Sequence, residues 1–166
     1  MEMDDPVASF IEEAHRYCAL LEQENALDPL AFARECLRSA LLLVEKVLLL
    51  PDTDVVTLSD PVGYEEWKAV RNRVAARLPR EEYWKVFDPL KVELPAPLRG
   101  SLPDDLADIW SDLRAGLLTL EKDPGDRHAD VVWEWRFSFE SHWSRHATGA
   151  ITGLTALCFW QADADS

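Results

Sequence analysis

No nucleophile elbow, phosphate-binding loop, zinc-finger spacing or dinucleotide fingerprint occurs in the 166 residues, so none of the activities those motifs carry is announced. Cysteine is scarce. Cys18, Cys36 and Cys158 are an odd number scattered over helical segments, which argues against a disulfide framework and for a reducing cytoplasm. The start of the chain, Met-Glu-Met-Asp-Asp-Pro, lacks the basic and apolar regions of a signal peptide. Long apolar runs are missing too: the most apolar, Ala40 to Leu50, contains Glu45 and Lys46 and falls well short of the ~20 residues that span a bilayer. Positive charge is outnumbered, with 17 basic against 31 acidic residues and a net charge of -14. Such a chain repels nucleic-acid phosphates and anionic lipid, and the electrostatically favoured partner is a basic protein. Residues 1–60 carry most of the imbalance, 13 acids against 4 bases.

Internal repeats, low-complexity segments and long strand-type alternation are also absent. What remains is helical periodicity punctuated by proline. Asp5-Pro6, Asp28-Pro29 and Asp60-Pro61 each place a side-chain acceptor before a proline at or near a first helical position, where its missing N–H costs nothing. The first helix, Pro6 to Leu21, buries Val7, Phe10, Ile11, Ala14, Cys18 and Leu21; the second, Pro29 to about Leu49, buries Leu30, Ala33, Leu37, Ala40, Leu41, Val44 and Leu48. Residues 51–63 read as an acidic loop. A third helix, from Gly63 or Tyr64 to Leu78, is followed by a short helical piece, Glu81 to Phe87, and a Pro-rich connector over 91–100. A fourth long helix, Leu102 to about Leu120, is capped by Ser101 and closed by the turn Asp123-Pro124-Gly125. Residues 161–166 read as a short disordered acidic tail. The predicted fold is all-α: one domain over residues 1–166, a bundle of four long helices and one shorter.

The last helix, Ala129 to about Cys158, is the most unusual and is expected at the centre of the bundle. Val132, Arg136, Phe139, Trp143, Ala147, Ala150, Leu154 and Leu157 fall on one apolar stripe at about 100° per residue. Beside it runs a second line, Trp135, Phe139, His142, His146, Gly149 and Gly153. Glycines inside a helix cost about 1 kcal/mol each, so Gly149 and Gly153 predict the close approach of another backbone. Trp133 and Trp135 point roughly 160° apart, so one of them should face outward or into a crevice.

Three carboxylates, Asp105, Asp108 and Asp112, lie with Gly116 on one shoulder of the fourth helix. Like charges at that spacing call for a cation. Arg136, inside the apolar stripe, would be costly to bury alone and can fork onto a carboxylate, so it is expected to meet Asp108 or Asp112. The pair His142 and His146 offers only two metal ligands. With the aspartates assigned to Arg136, no metal and no cofactor is expected; were a metal bound by His142 and His146, either the three aspartates or His15 and Glu12 would complete its shell. Glu12-x-x-His15 is the only such motif, where a di-iron bundle wants two, and His142 is followed by Trp143, so the zinc-protease spacing fails. Cys18, one turn from His15, reads as a buried thiol rather than a nucleophile.

Tyr83-Trp84-Lys85-Val86-Phe87-Asp88-Pro89, Asp104 to Leu113 and Phe139-x-x-His142-Trp143 resemble a bacterial family catalogued as domain of unknown function 5063. The resemblance spans Phe10 to about Leu157. It implies an all-helical cytoplasmic protein and assigns no activity, ligand or catalytic residue. From the residues themselves the expected function is a non-enzymatic protein-interaction module, working through the acidic N-terminal region and the crevice beside Trp135, His142 and His146. The alternatives are a small acidic inhibitor or immunity-type protein covering a basic partner, and a metal-dependent enzyme using His142 and His146.

Overall fold

A computed structural model describes residues 5–91, 93 and 96–160. The expected acidic tail over 161–166 and part of the Pro-rich connector lie outside the described residues. Helix α1 is Pro6–Glu22, α2 Pro29–Val47 and α3 Tyr64–Arg77. Strands β1, Glu82–Lys85, and β2, Leu98–Ser101, form an antiparallel pair with Tyr83 opposite Gly100 and Trp84 opposite Arg99. Helix α4 is Leu102–Lys122 and α5 is His128–Ser138; a π-helical turn, Phe139–Trp143, joins α5 to α6, Ser144–Phe159. The fold is all-α with one small hairpin.

The helix starts follow from capping chemistry. Asp5 accepts the Val7 N–H at 3.0 Å, Asp28 the Ala31 N–H at 2.9 Å and Ser101 the Asp104 N–H at 3.3 Å, each relieving a donor without an intrahelical partner. Asp60-Pro61 does not act this way. Helix α3 begins three residues later, with Gly63 at its cap and the Glu66 carboxylate taking the Gly63 N–H at 3.3 Å. The short helix expected over 81–87 is instead the strand Glu82–Lys85 with its flanking residues. The Tyr83-Trp84 pair favours a pleated surface, and its side chains alternate: Tyr83 and Lys85 are half-buried, Glu82 and Trp84 exposed.

The bundle is centred on α4 rather than on the C-terminal helix, since α4 packs against α1, α3, α5 and α6. One contiguous core joins Phe10 and Tyr17 of α1, Phe32 and Leu43 of α2, Leu106, Ile109 and Leu113 of α4, and Trp135, Trp143 and Leu154 of the last helical run. In α2 the buried face is Phe32, Ala33, Cys36, Leu37, Ala40, Leu43 and Val47; the expected core residues Leu30, Leu41 and Leu48 are exposed. The run Ala40 to Val44 is apolar all round, so periodicity alone leaves the facing undecided. The buried hydrogen bond from Ser39 to Glu13, 2.5 Å, turns the helix toward α1.

The π turn re-phases the last helix. From Trp135 to Ala147 an ordinary helix would rotate about 120° past three whole turns, and the extra residue of a π turn removes about 100° of that. Trp135, Trp143 and Ala147 therefore share the buried face, and the Ser144 N–H reaches the Phe139 carbonyl, five residues back. Upstream of the turn the buried residues are Asp130, Val131, Val132 and Trp135. Arg136 leaves the stripe.

Candidate functional site

Downstream of the π turn, His142 and His146 face the carboxylate shoulder of α4. His146 Nδ1 lies 2.8 Å from Asp105 Oδ1 and 3.4 Å from Asp108 Oδ2, and His142 Nδ1 lies 2.7 Å from Asp112 Oδ2. The two imidazoles meet edge to face with centroids 4.8 Å apart. A carboxylate only accepts, so in both short pairs Nδ1 carries the proton. Asp105, 3% exposed at its side chain, is the floor of this cleft, and His142, 47% exposed, is its rim.

Two elements outside that helix pair complete the site. Tyr83 of β1 donates its hydroxyl to Asp105 Oδ2 at 2.5 Å, and Lys85 Nζ lies 3.6 Å from Asp105 Oδ1. From α3, Trp67 Nε1 donates to Asp108 Oδ1 at 2.9 Å. The two glycines of α6 exist for Tyr83. A Cβ on Gly153 would sit 2.9 Å from the Tyr83 ring, and one on Gly149 would collide with its hydroxyl. The close approach expected there is made by an aromatic side chain, not by a backbone. Sequence reasoning missed Tyr83, Lys85 and Trp67 as members of this cleft; the glycine pair was the signal that something had to lie in the recess.

Burial raises the carboxyl pKa values of Asp108 and Asp112 above the ordinary range despite the neighbouring histidines. For His146 burial pulls downward, but the hydrogen bond to Asp105 and the charges of Asp108 and Asp105 outweigh it, and its pKa is raised. Tyr83 is raised by burial and by Asp105, so it stays a hydrogen-bond donor.

Two of the expected site residues lie elsewhere. Arg136 meets neither Asp108 nor Asp112; it pairs with Asp52 of the 51–63 loop, because the phase set by the π turn points it away from α4. Trp135 does not line the cleft. It is 1% exposed, packs 5.0 Å from the Phe10 ring, and occupies the space left by Gly116, where a Cβ would come within 2.5 Å of its Nε1. The outward-facing member of the tryptophan pair is Trp133, stacked on Phe137 with centroids 4.8 Å apart. On α1, Glu12 pairs with Arg16 and His15 is exposed; the donors that gather around His142 and His146 come from α4 instead. Burial pushes the Cys18 thiol far up, so it is not a nucleophile.

Fold and site together define an all-helical protein with a carboxylate–histidine cleft at a π turn, covered on one side by a hairpin. The chain belongs to the family described as domain of unknown function 5063, which matches residues 1–159. Among solved structures it is similar to the crystal structure of protein BF1032 from Bacteroides fragilis, with a TM-score of 0.81 at 20% identity over 96% of each chain. At that identity the likeness concerns the fold. No curated protein matches the chain. Among the described residues, no helix is long and apolar enough to cross a membrane.

Proposed function

We propose that the protein is a protein-interaction module that presents the β1–β2 hairpin to its partner. One observation carries this reading: the hairpin is fixed from the inside and apolar on the outside. Tyr83 and Lys85 anchor it to Asp105, while Trp84 is 65% exposed and Val86, Phe87 and Leu90 just beyond β1 are exposed as well. A monomer gains nothing by holding large apolar side chains in water on a rigid mount, and such patches are how partners are gripped. The test is a double variant, Trp84→Ala with Phe87→Ala, in affinity capture from the native cell extract. Loss of the captured protein with an unchanged thermal melt supports the reading; identical capture by the variant overturns it.

A second reading rests on charge. With 13 acids against 4 bases in residues 1–60, the chain suits a role as a small acidic inhibitor or immunity-type protein on a basic partner. Association by that surface weakens as salt rises, since exposed charges are screened within about 8 Å at physiological ionic strength. Capture through the hairpin is indifferent to salt. The three free cysteines support a reducing compartment, the bacterial cytoplasm, as the place of work.

A further inference from the structure

We infer that the cleft between α4 and α6 binds one divalent transition-metal ion through Asp108, His142 and His146. These three residues each bring a ligand atom within 4.8 Å of the other two. Neighbouring donors around a tetrahedral zinc ion stand roughly 3.3 Å apart, given bonds of about 2.0–2.1 Å, so the set must draw in by a rotation. His142, on the exposed rim, has the freedom to make it.

The surroundings supply hydrogen-bond partners to all three side chains. Asp105 takes the Nδ1 proton of His146 and Asp112 that of His142, so the unprotonated Nε2 of each ring is free to take a metal, provided Asp108 Oδ2, which now lies 3.4 Å from His146 Nδ1, swings toward it. Metal-ligating histidines are characteristically held in this way by a carboxylate on the other nitrogen. Trp67 does the same for Asp108, fixing Oδ1. Charge argues in the same direction: among the described residues three carboxylates converge here against one lysine, Lys85, which is placed on Asp105, and the arginine that would have neutralised them is committed to Asp52. The π turn carries His142 itself, and such turns concentrate at functional sites.

Two imidazoles and one carboxylate select zinc, iron(II) or cobalt(II) over calcium and magnesium, which want oxygen donors. Three protein ligands leave a coordination position open, as in catalytic rather than closed structural sites. The inference is independent of the hairpin reading, and the experiment separates them. Full-length protein purified without a histidine tag is titrated with Zn²⁺ by calorimetry and with Co²⁺ by visible absorption. One equivalent should bind, at least tenfold more weakly in His142→Ala and in Asp108→Ala, weakened also in the positioning variant Asp112→Asn, and unchanged in His15→Ala and in Trp84→Ala. Absence of Zn²⁺ binding, or binding that survives His142→Ala unchanged in a protein with the parental circular dichroism, overturns it. Because His142 is half in solvent, its removal leaves the core intact and the test stands even if Asp108→Ala fails to fold.

Discussion

The two halves of the last helical run use their polar residues in opposite ways. On α5 and at its N-cap, the carboxylates and guanidinium groups tether the 51–63 loop: Asp130 takes the Val56 N–H at 2.7 Å, Glu134 takes the Ser59 N–H, the capping Arg127 donates to the Thr57 carbonyl at 2.6 Å, and Arg136 pairs with Asp52. On the other side of the π turn, His142 and His146 secure no loop; they converge with carboxylates of α4 in a cleft open to solvent at its rim. The same contrast holds for the aromatic rings seated on glycine. Trp135 on Gly116 is pure packing, whereas Tyr83 on Gly149 and Gly153 ends in a hydrogen bond to Asp105. A helix whose phase is reset halfway can thus serve as scaffold upstream and as a site downstream.

This contrast can be broken at graded cost. The largest effect belongs to the scaffold half: Trp135→Ala should destabilise the fold by about 3–5 kcal/mol in urea unfolding, the cost of emptying a buried aromatic site. A loss below about 1 kcal/mol would mean that the ring is not in the core. In the cleft, Asp105→Ala removes the acceptor shared by Tyr83 and His146 and leaves Lys85 without its partner, for about 1–3 kcal/mol. Hydrogen exchange in β1 should accelerate with it, since the hairpin loses its anchor; unchanged protection would detach the hairpin from the cleft.

A third measurement sharpens the comparison through pH. The folded protein holds the His146 proton more tightly than the unfolded chain does, so this contribution is fully present below the unfolded value of about 6.5 and is lost as pH rises through the raised folded value. Asp108 and Asp112, also raised, have the same sign, but their window opens near pH 4. Stability should therefore decline as pH rises above about 6.5 in the parent, and His146→Gln should flatten that decline. An equal slope in the variant would place the titrating group elsewhere. The smallest effect is on α5: Arg136→Ala should cost at most about 1 kcal/mol, because its partner Asp52 is 95% exposed and such pairs are weak. A cost of about 3 kcal/mol or more would instead be that of a buried arginine paired with α4.

How much of this was legible beforehand depends on what each feature needs. Capping by Asp5, Asp28 and Ser101 is local, so helix starts could be read from adjacent residues; Asp60-Pro61 carries the same local signal, but the chain turns elsewhere. The gathering of Asp105, Asp108 and Asp112 on one shoulder of α4 and the three-four spacing of the histidines were visible as patterns. Which partner the aspartates take, Arg136 or the histidines, was not, because periodicity assumes an unbroken helix. That assumption put Arg136 on the buried stripe and gave it the aspartates that the structure pairs with the histidines.

The sequence by itself determined the all-helical class, the starts of α1, α2 and α4 and the close of α4, marked by proline and capping residues, and a close approach at Gly149 and Gly153 marked by glycine. Those are matters of backbone sterics and hydrogen bonding within a few residues. The tertiary structure alone decided that residues 82–85 pair with 98–101 as a hairpin, that α2 turns its Phe32 and Leu43 face inward, and that the extra residue at Phe139–Trp143 swings Arg136 out to Asp52 while bringing His142 and His146 onto α4. Each of these is a choice among locally equivalent conformations, settled only by which packing fills the core and pairs the buried polar groups.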